Sequence, residues 1–296
     1  MRGRDKKTHL IRKCRNNSSL KDQRQEAALI RLTVFTAAAL TFAVMFMILF
    51  HIVCKGICGL GEEGLFDIKY NSENVSMMPA LINTVIVTIL SLLVAVPTGV
   101  FGAVYLTEYA KKGSIIVRVI RIGEDTLAAM PSIIYGLFGY GLFVISLGWG
   151  YTMISGVITL AVMVLPIIMR TAEEALMAVP HSYREAGFGL GAGKVRTVFG
   201  LLIPSAMPGI ISGISLATGR IAGESAALIF TAGTYPSLPH SLFSSTRTLS
   251  VHIYALMTEG MYEEQAYAAA LVLIIVISVI NAVSHLLMKK FQKTNY

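Results

Sequence analysis

Residues 126–169 read TLAAMPSIIYGLFGYGLFVISLGWGYTMISGVITLAVMVLPIIM, 44 consecutive positions without a charged side chain. A bilayer crossing takes about 20 mostly apolar residues, so this stretch is long enough for two. It divides at Gly148-Trp149-Gly150-Tyr151, where glycines flank an interfacial Trp and Tyr and predict a tight turn at headgroup level. Outward from it, uncharged runs cover 32–54 and 74–107 on one side and 197–219, 225–246 and 265–288 on the other. Of the 296 residues 54% are hydrophobic and 14% charged, and mean hydropathy is +0.66. A soluble domain carries roughly a quarter charged residues. The composition therefore excludes a soluble domain, a disordered chain, a collagen and a disulfide-rich secreted domain. An outer-membrane barrel is excluded by the long unbroken runs, because its strands alternate. The expectation is an all-α membrane protein with six transmembrane helices, at 30–54, 80–106, 124–147, 151–170, 205–231 and 265–288.

The net charge of +8 is placed by the membrane. Residues 1–31 hold ten Lys and Arg, and further ones cluster at Lys111, Lys112, Arg118 and Arg121, at Arg170, Arg184, Lys194 and Arg196, and at Lys289, Lys290 and Lys293. The alternate segments hold Lys55, Lys69 and Arg247. By the positive-inside rule both termini are cytoplasmic, in the cell membrane as a multi-pass protein. The chain divides into a basic tail (1–31), a membrane domain (32–288) with an inner loop at 171–204, and a short tail (289–296). No aromatic residue is interleaved in the basic tail as a base-stacking surface requires. Membrane lipid is its expected partner, with no nucleic acid, and the tail reads as a partly disordered anchor. The run 32–54 is too long for a signal-peptide core. His51, Cys54 and Cys58 share one helix face but lack a fourth ligand nearby, so no metal site is expected. The outer segment 232–264 holds Tyr235-Pro236-Ser237-Leu238-Pro239-His240 and then a short apolar stretch, either a loop or a re-entrant or interfacial helix.

The inner loop is longer than a simple connector needs. Ala172, Ala175, Leu176 and Val179 make an apolar stripe, Pro180 interrupts, and Ser182 with Glu185 has the spacing of a reciprocal capping box. The chain continues through Glu185-Ala186-Gly187, three residues, Gly191, nine residues, and Leu201-Leu202-Ile203-Pro204. The glycines before Lys194 do not make a phosphate-binding loop: Phe188 stands where the first Gly belongs, Val195 where Ser or Thr belongs. Two short helices joined at small residues instead make a compact knob for a partner. The bland alternative is an amphipathic connector lying on the membrane.

Arg220 and Glu224 fall within the fifth apolar span, in Gly219-Arg220-Ile221-Ala222-Gly223-Glu224-Ser225. Ionisable groups in hydrocarbon are costly and face a cavity or a partner. At i and i+4 the two share a helix face, which admits a structural ion pair. The small residues Gly213, Gly219, Ala222 and Gly223 admit the close approach of another helix, as along a lined pathway. A guanidinium matches two oxygens of a tetrahedral oxyanion at once. A nearby carboxylate would accept the O–H of hydrogen phosphate and repel sulfate, which has none.

The inner-loop spacing resembles that of the coupling loop of ATP-binding-cassette importer permeases. Glu185, Ala186, Gly191 and Pro204 match, while Gly187, Leu201 and Ile203 depart conservatively; Gly for Ala in a helix costs about 1 kcal/mol. The stretch Gly-Arg-x-x-Gly-Glu followed by Ala226-Ala227-Leu228-Ile229-Phe230-Thr231-Ala232-Gly233 is similar to the fifth helix of the phosphate permeases. So are Pro131-Ser132-Ile133-Ile134-Tyr135-Gly136-Leu137-Phe138-Gly139 and Ala178–Ala186. The resemblance covers about 80–285 and favours the PstA branch over its sister PstC. It implies a type I importer permease of the MetI-like fold that translocates phosphate by alternating access. Its implied pathway residues are Arg220, Glu224 and, at the end of the fourth span, Arg170. Its implied coupling residues are Glu185, Ala186, Gly187, Gly191 and Pro204. It further implies a PstC-like second permease, two PstB-like ATPase subunits and an external PstS-like phosphate-binding protein. No cofactor is expected on this chain, which is not itself an enzyme; ATP and Mg belong to the ATPase. The alternatives are a permease for another oxyanion and an ion-coupled transporter that needs no ATP. An intramembrane hydrolase is disfavoured because Ser215 and Ser225 have no His at bilayer depth.

Overall fold

A computed structural model of the chain describes residues 2–61, 64–70, 74–111, 113–260 and 262–294, with side chains at 27, 29–61, 64–70, 74–111, 113–260 and 262–290. Among the described residues all regular structure is helical. The chain falls into two units, Met1–Cys54 and Lys55–Tyr296. The first is supplied by α1 (Arg2–Gly59), one continuous helix. The basic tail thus extends the helix of the first span, where the sequence suggested partial disorder. From Leu29 to Phe50 the large apolar side chains of α1 are exposed, and a helix apolar on every side suits a membrane span.

In the second unit, α2 (Met78–Val104) runs on through a π-turn at Tyr105–Tyr109. It packs against α5 (Met153–Ala178) around Ala95, Leu160, Val164 and Ile168. Lipid tails are as apolar as Leu, so packing and interhelical hydrogen bonds hold such helices together. A Cβ at Gly99 would lie 2.8 Å from Ile168 Cγ2, and Ser91 Oγ donates to the Val157 carbonyl at 3.2 Å. Following α5, α6 (His181–Gly189) is a short helix, and α7 (Lys194–Thr197), a π-turn at Val198–Leu202 and α8 (Ile203–Ala222) form one rod. Gly213 of α8 sits hard against Thr171 of α5, as its small size suggested. Gly219 and Gly223 do not receive a helix in this way; the nearest atom to a Cβ at Gly219 is Ile277 Cγ2 at 3.9 Å. Ser215 Oγ donates to Asn281 Oδ1 of α11 (Glu263–Thr294) at 3.0 Å.

The third span departs from the straight helix expected at 124–147. It consists of α3 (Ile115–Ala129) and α4 (Ser132–Gly139), the latter extended by a π-helical segment Tyr140–Ser146, and the two parts meet at 107°. Pro131 disfavours the helical region for the residue before it, and Met130 is extended (φ −73°, ψ 134°). Residues 115–123, expected in an inner loop, are therefore helical. Among them Ile115, Ile116, Val119 and Ile122 are exposed and alternate with Arg118 and Arg121, a pattern for a helix lying along an interface. Tyr135 closes the bend by donating its hydroxyl to the Leu127 carbonyl at 2.5 Å. Beyond α4, Gly148 and Gly150 take φ of 66° and 72° and make the expected turn. That turn leads into α5, whose Met153 N–H bonds the Ser244 carbonyl of the outer segment. Counted as one span, the bent pair makes six apolar spans among the described residues.

The fourth and fifth spans also differ from their expected limits. Helix α5 continues eight residues past Arg170, and α8 stops at Ala222 rather than running to 231. After Gly223-Glu224-Ser225 the chain re-forms α9 (Ala226–Thr231), and later α10 (Leu249–Glu259). The outer segment 232–264 is therefore no plain loop, since α10 buries Leu249, Val251, His252 and Leu256.

Candidate substrate pathway and coupling surface

The break after α8 decides how Arg220 and Glu224 are used. Glu224 is buried, 9% exposed, and its Oε1 accepts the Ala227 N–H at 3.1 Å, capping α9. Its carbonyl accepts Ser250 Oγ of α10 at 2.5 Å. A side chain that bonds the backbone ahead of it competes with helix continuation, and with Gly223 beside it the helix ends there. The i, i+4 ion pair admitted by the sequence is absent: Arg220 has no ion-pair partner among the described residues and is exposed. An exposed, unpaired guanidinium at bilayer depth requires water, an anion or a protein partner before it.

Arg170 lies inside α5, two turns before its end. It faces Glu174 at 3.5 Å and Asp125 of α3 at 3.9 Å, with its side chain 67% exposed. Beside it Arg121 of α3 meets buried Glu173 at 2.6 Å, and Glu124 Oε1 is buried without a partner among the described residues. These groups line a cavity of about 270 Å³. In the sequence Arg121 reads only as a topology charge, and nothing marks Glu124 and Asp125, because the apolar run that follows hides the bend at Pro131 that makes α3 a separate helix.

In the loop expected at 171–204, residues 171–178 belong to α5 and 194–204 to the α7–α8 rod, so α6 and its flanking turns span 179–193. Gly191 has φ +77°, a conformation only Gly adopts freely, and the Ala192 N–H bonds the Gly187 carbonyl at 3.0 Å. The expected capping box does not form. Pro180 is the N-cap of α6, which places Ser182 within the helix, and no side-chain cap is made. Gly187 has a reason of its own: a Cβ there would lie 2.8 Å from Thr197 Cγ2 and 2.9 Å from its Oγ1. Glu185 and Ala186 are exposed, as are Phe188 and Leu190, the latter 88% exposed at the tip. Pro204 lies in the first turn of α8.

Arg184 was read in the sequence only as a topology charge, yet it holds the knob in place. Its Nε and Nη2 donate to Glu108 Oε1 at 3.0 and 2.7 Å, Nη1 to the Val179 carbonyl at 3.0 Å, and Nη2 to the Leu176 carbonyl at 3.2 Å. One guanidinium thereby joins α6, the carbonyl end of α5 and the π-turn that ends α2.

In the segment 232–264, buried Arg247 donates from Nε to the Thr234 carbonyl at 2.7 Å and lies over the Tyr70 ring. Its Nη1 is 3.4 Å from His252 Nδ1. Asn83 of α2 donates to the Arg247 carbonyl at 3.1 Å, and Thr84 Oγ1 accepts the Leu249 N–H at 2.8 Å. Burial, and then the adjacent Arg247 charge, lower the His252 pKa to about 4.

Residues 95–294 match the family described as binding-protein-dependent transport system inner membrane component. The chain is 40% identical over 217 residues to a probable ABC transporter permease protein, YqgI, of Bacillus subtilis, covering 68% of this chain and 74% of that one. It is 29% identical over 297 residues to the phosphate transport system permease protein PstA of Yersinia pestis, covering 93% and 97%. Against PstA 1 of Mycobacterium tuberculosis H37Rv it is 35% identical over 205 residues, covering 68% and 66%. Its fold is shared with a chain of the inward-facing MetNI methionine ABC transporter, at 18% identity, TM-score 0.57 and coverage of 73% and 94%. It is shared too with a chain of a bacterial ABC transporter that imports alginate, at 15% identity, TM-score 0.64 and coverage of 90% and 99%.

Proposed function

Because the chain belongs to the binding-protein-dependent inner-membrane transport components, we propose that it is the PstA-type permease of an ATP-driven inorganic phosphate importer. The observation that carries this reading is Arg220, a fixed charge exposed at the α8–α9 break inside a membrane span. There it meets the anion in a water-filled path, where alternating access exposes it to each side in turn. Arg170 stands nearer the inner side, and its contacts with Glu174 and Asp125 are long enough to exchange for contacts with a passing oxyanion. Glu224 acts as the cap that sets the break rather than as the partner of Arg220.

The knob of α6 docks on an ATPase, and exposed Phe188 and Leu190 fit a greasy groove better than water. Glu185, Ala186, Gly187, Gly191 and Pro204 shape that knob. Arg184 transmits its displacement to α2 and α5. The complex contains a PstC-like permease, two PstB-like ATPase subunits that use ATP and Mg, and an external PstS-like phosphate-binding protein. This chain needs no cofactor of its own and performs transport rather than hydrolysis. Its termini lie in the cytoplasm, so reporters fused after residues 65 and 190 read opposite sides.

Reconstitution tests the reading. With the two partner subunits and the binding protein in proteoliposomes, phosphate uptake requires ATP and is not competed by sulfate. Uptake that persists without ATP, driven by an ion gradient, would show an ion-coupled transporter instead.

A further inference from the structure

A second cavity, of about 590 Å³, opens between the inner end of α2, the start of α3, α5 and the coupling helix α6. Its charged lining is Glu108, Lys111, Arg121, Glu173, His181 and Arg184. The two carboxylates are already neutralised, Glu108 by Arg184 at 2.7 Å and Glu173 by Arg121 at 2.6 Å. That leaves the Lys111 ammonium, the remaining N–H donors of Arg121, whose side chain is 52% exposed, and the His181 ring. Lys111 and His181 are both exposed and have no ion-pair partner among the described residues. The excess of donors is reinforced by the backbone. The first turns of α3 and α6 reach the cavity through Val117, His181 and Arg184. Neither helix has a side-chain N-cap or an acidic residue in its first turn, so their orphan N–H groups and positive dipole ends remain uncompensated there.

We infer that this cavity is a binding site for a phosphate-bearing anion at the cytoplasmic face, held by Lys111, His181 and the free donors of Arg121. A phosphate group supplies three or more acceptor oxygens and negative charge, which is what this set of donors lacks. Two sources present that chemistry here: inorganic phosphate in the cytoplasm and the headgroup of an anionic phospholipid, whose chains the exposed Ile115, Ile116 and Val119 would meet. The occupant bridges α3 to α6 across the inner end of α2. It therefore ties the coupling helix to the membrane helices and makes the transport cycle responsive to the inner anion. The inference is independent of which anion the complex imports.

The test uses the purified complex without its external binding protein. In phosphatidylcholine nanodiscs, binding of radiolabelled inorganic phosphate is measured by equilibrium dialysis. In nanodiscs containing phosphatidylglycerol, retained lipid is counted by native mass spectrometry. Lys111→Gln with His181→Gln is expected to weaken one of the two by about fivefold for the loss of the Lys111 charge, and further for the lost His181 hydrogen bond; the arm affected names the source. Both substitutions leave Arg220 in place, so any anion held on the transport path contributes equally to parent and variant and cancels in the difference. If the double variant does not assemble, Lys111→Gln alone removes one exposed side chain and should show its roughly fivefold share of the loss. Binding absent from both arms, or unaltered by the substitutions, overturns the inference.

Discussion

Removing Arg184 should uncouple the ATPase from the membrane helices while also destabilising the permease. The guanidinium is only 16% exposed at its side chain and Glu108 10%. Breaking a buried pair by deleting one partner costs about 3–5 kcal/mol, and the residual exposure reduces this to about 2–3 kcal/mol for Arg184→Met. Part of that loss is the Leu176 and Val179 carbonyls, which lose a charged donor. Glu108→Gln keeps an acceptor and exchanges a charged hydrogen bond for a neutral one, for about 1–2 kcal/mol. In the double variant no charge is left stranded, so the two losses should fall short of additivity by about 1–2 kcal/mol. Thermal inactivation of the complex in nanodiscs gives the stabilities. Phosphate moved per ATP hydrolysed gives the coupling. Strict additivity, together with an unchanged coupling ratio in Arg184→Met, would refute the weld between α6, α5 and α2.

Two further perturbations have equally definite signs. Gly187→Ala places a methyl 2.8 Å from Thr197 Cγ2, and such overpacking costs about 1–3 kcal/mol; the stability should return with Thr197→Ala, and its failure to return would place the clash elsewhere. His252 is held to a pKa of about 4 against its ordinary 6.5, so below pH 6.5 the unfolded chain takes up the proton that the folded one refuses. Stability is therefore complete above pH 6.5 and declines as pH falls towards 4. At about 1.4 kcal/mol per pH unit the decline is roughly 3 kcal/mol. His252→Gln should flatten this part of the melting-temperature profile; an unchanged slope would assign it to other groups.

The number of spans, the turn at Gly148–Tyr151 and the knob at Gly191 were legible because each rests on local chemistry: apolar length, glycine conformation and residue spacing. The bend at Met130-Pro131 was legible in principle, since Pro restricts the residue before it. It is masked by the apolar continuity of 126–147, which reads as one helix. Arg220 and Glu224 were both found as charges out of place in the membrane. Their relation was not, because helical periodicity was carried through Gly223, whereas Glu224 spends its carboxylate on the Ala227 N–H and ends the helix. The ties from Arg184 to Glu108 and from Arg121 to Glu173 join residues 76 and 52 positions apart, and no local pattern encodes such a partner. The same holds for Arg247 and His252, which a period of any kind leaves looking like loop residues.

On the proposed pathway Arg220 contacts the transported anion. Since no ion pair binds Arg220 to Glu224, Arg220→Gln strands no buried charge and should leave assembly and melting temperature unchanged. Glu224→Gln, by contrast, weakens the cap of α9 by about 1 kcal/mol. The decisive measurement is ATP-dependent phosphate uptake by the assembled Arg220→Gln complex in proteoliposomes. Loss of a charge-assisted contact worth about 1.5–3 kcal/mol predicts a fall of roughly 10- to 100-fold. Uptake at the normal rate by a fully assembled Arg220→Gln complex would contradict the assignment.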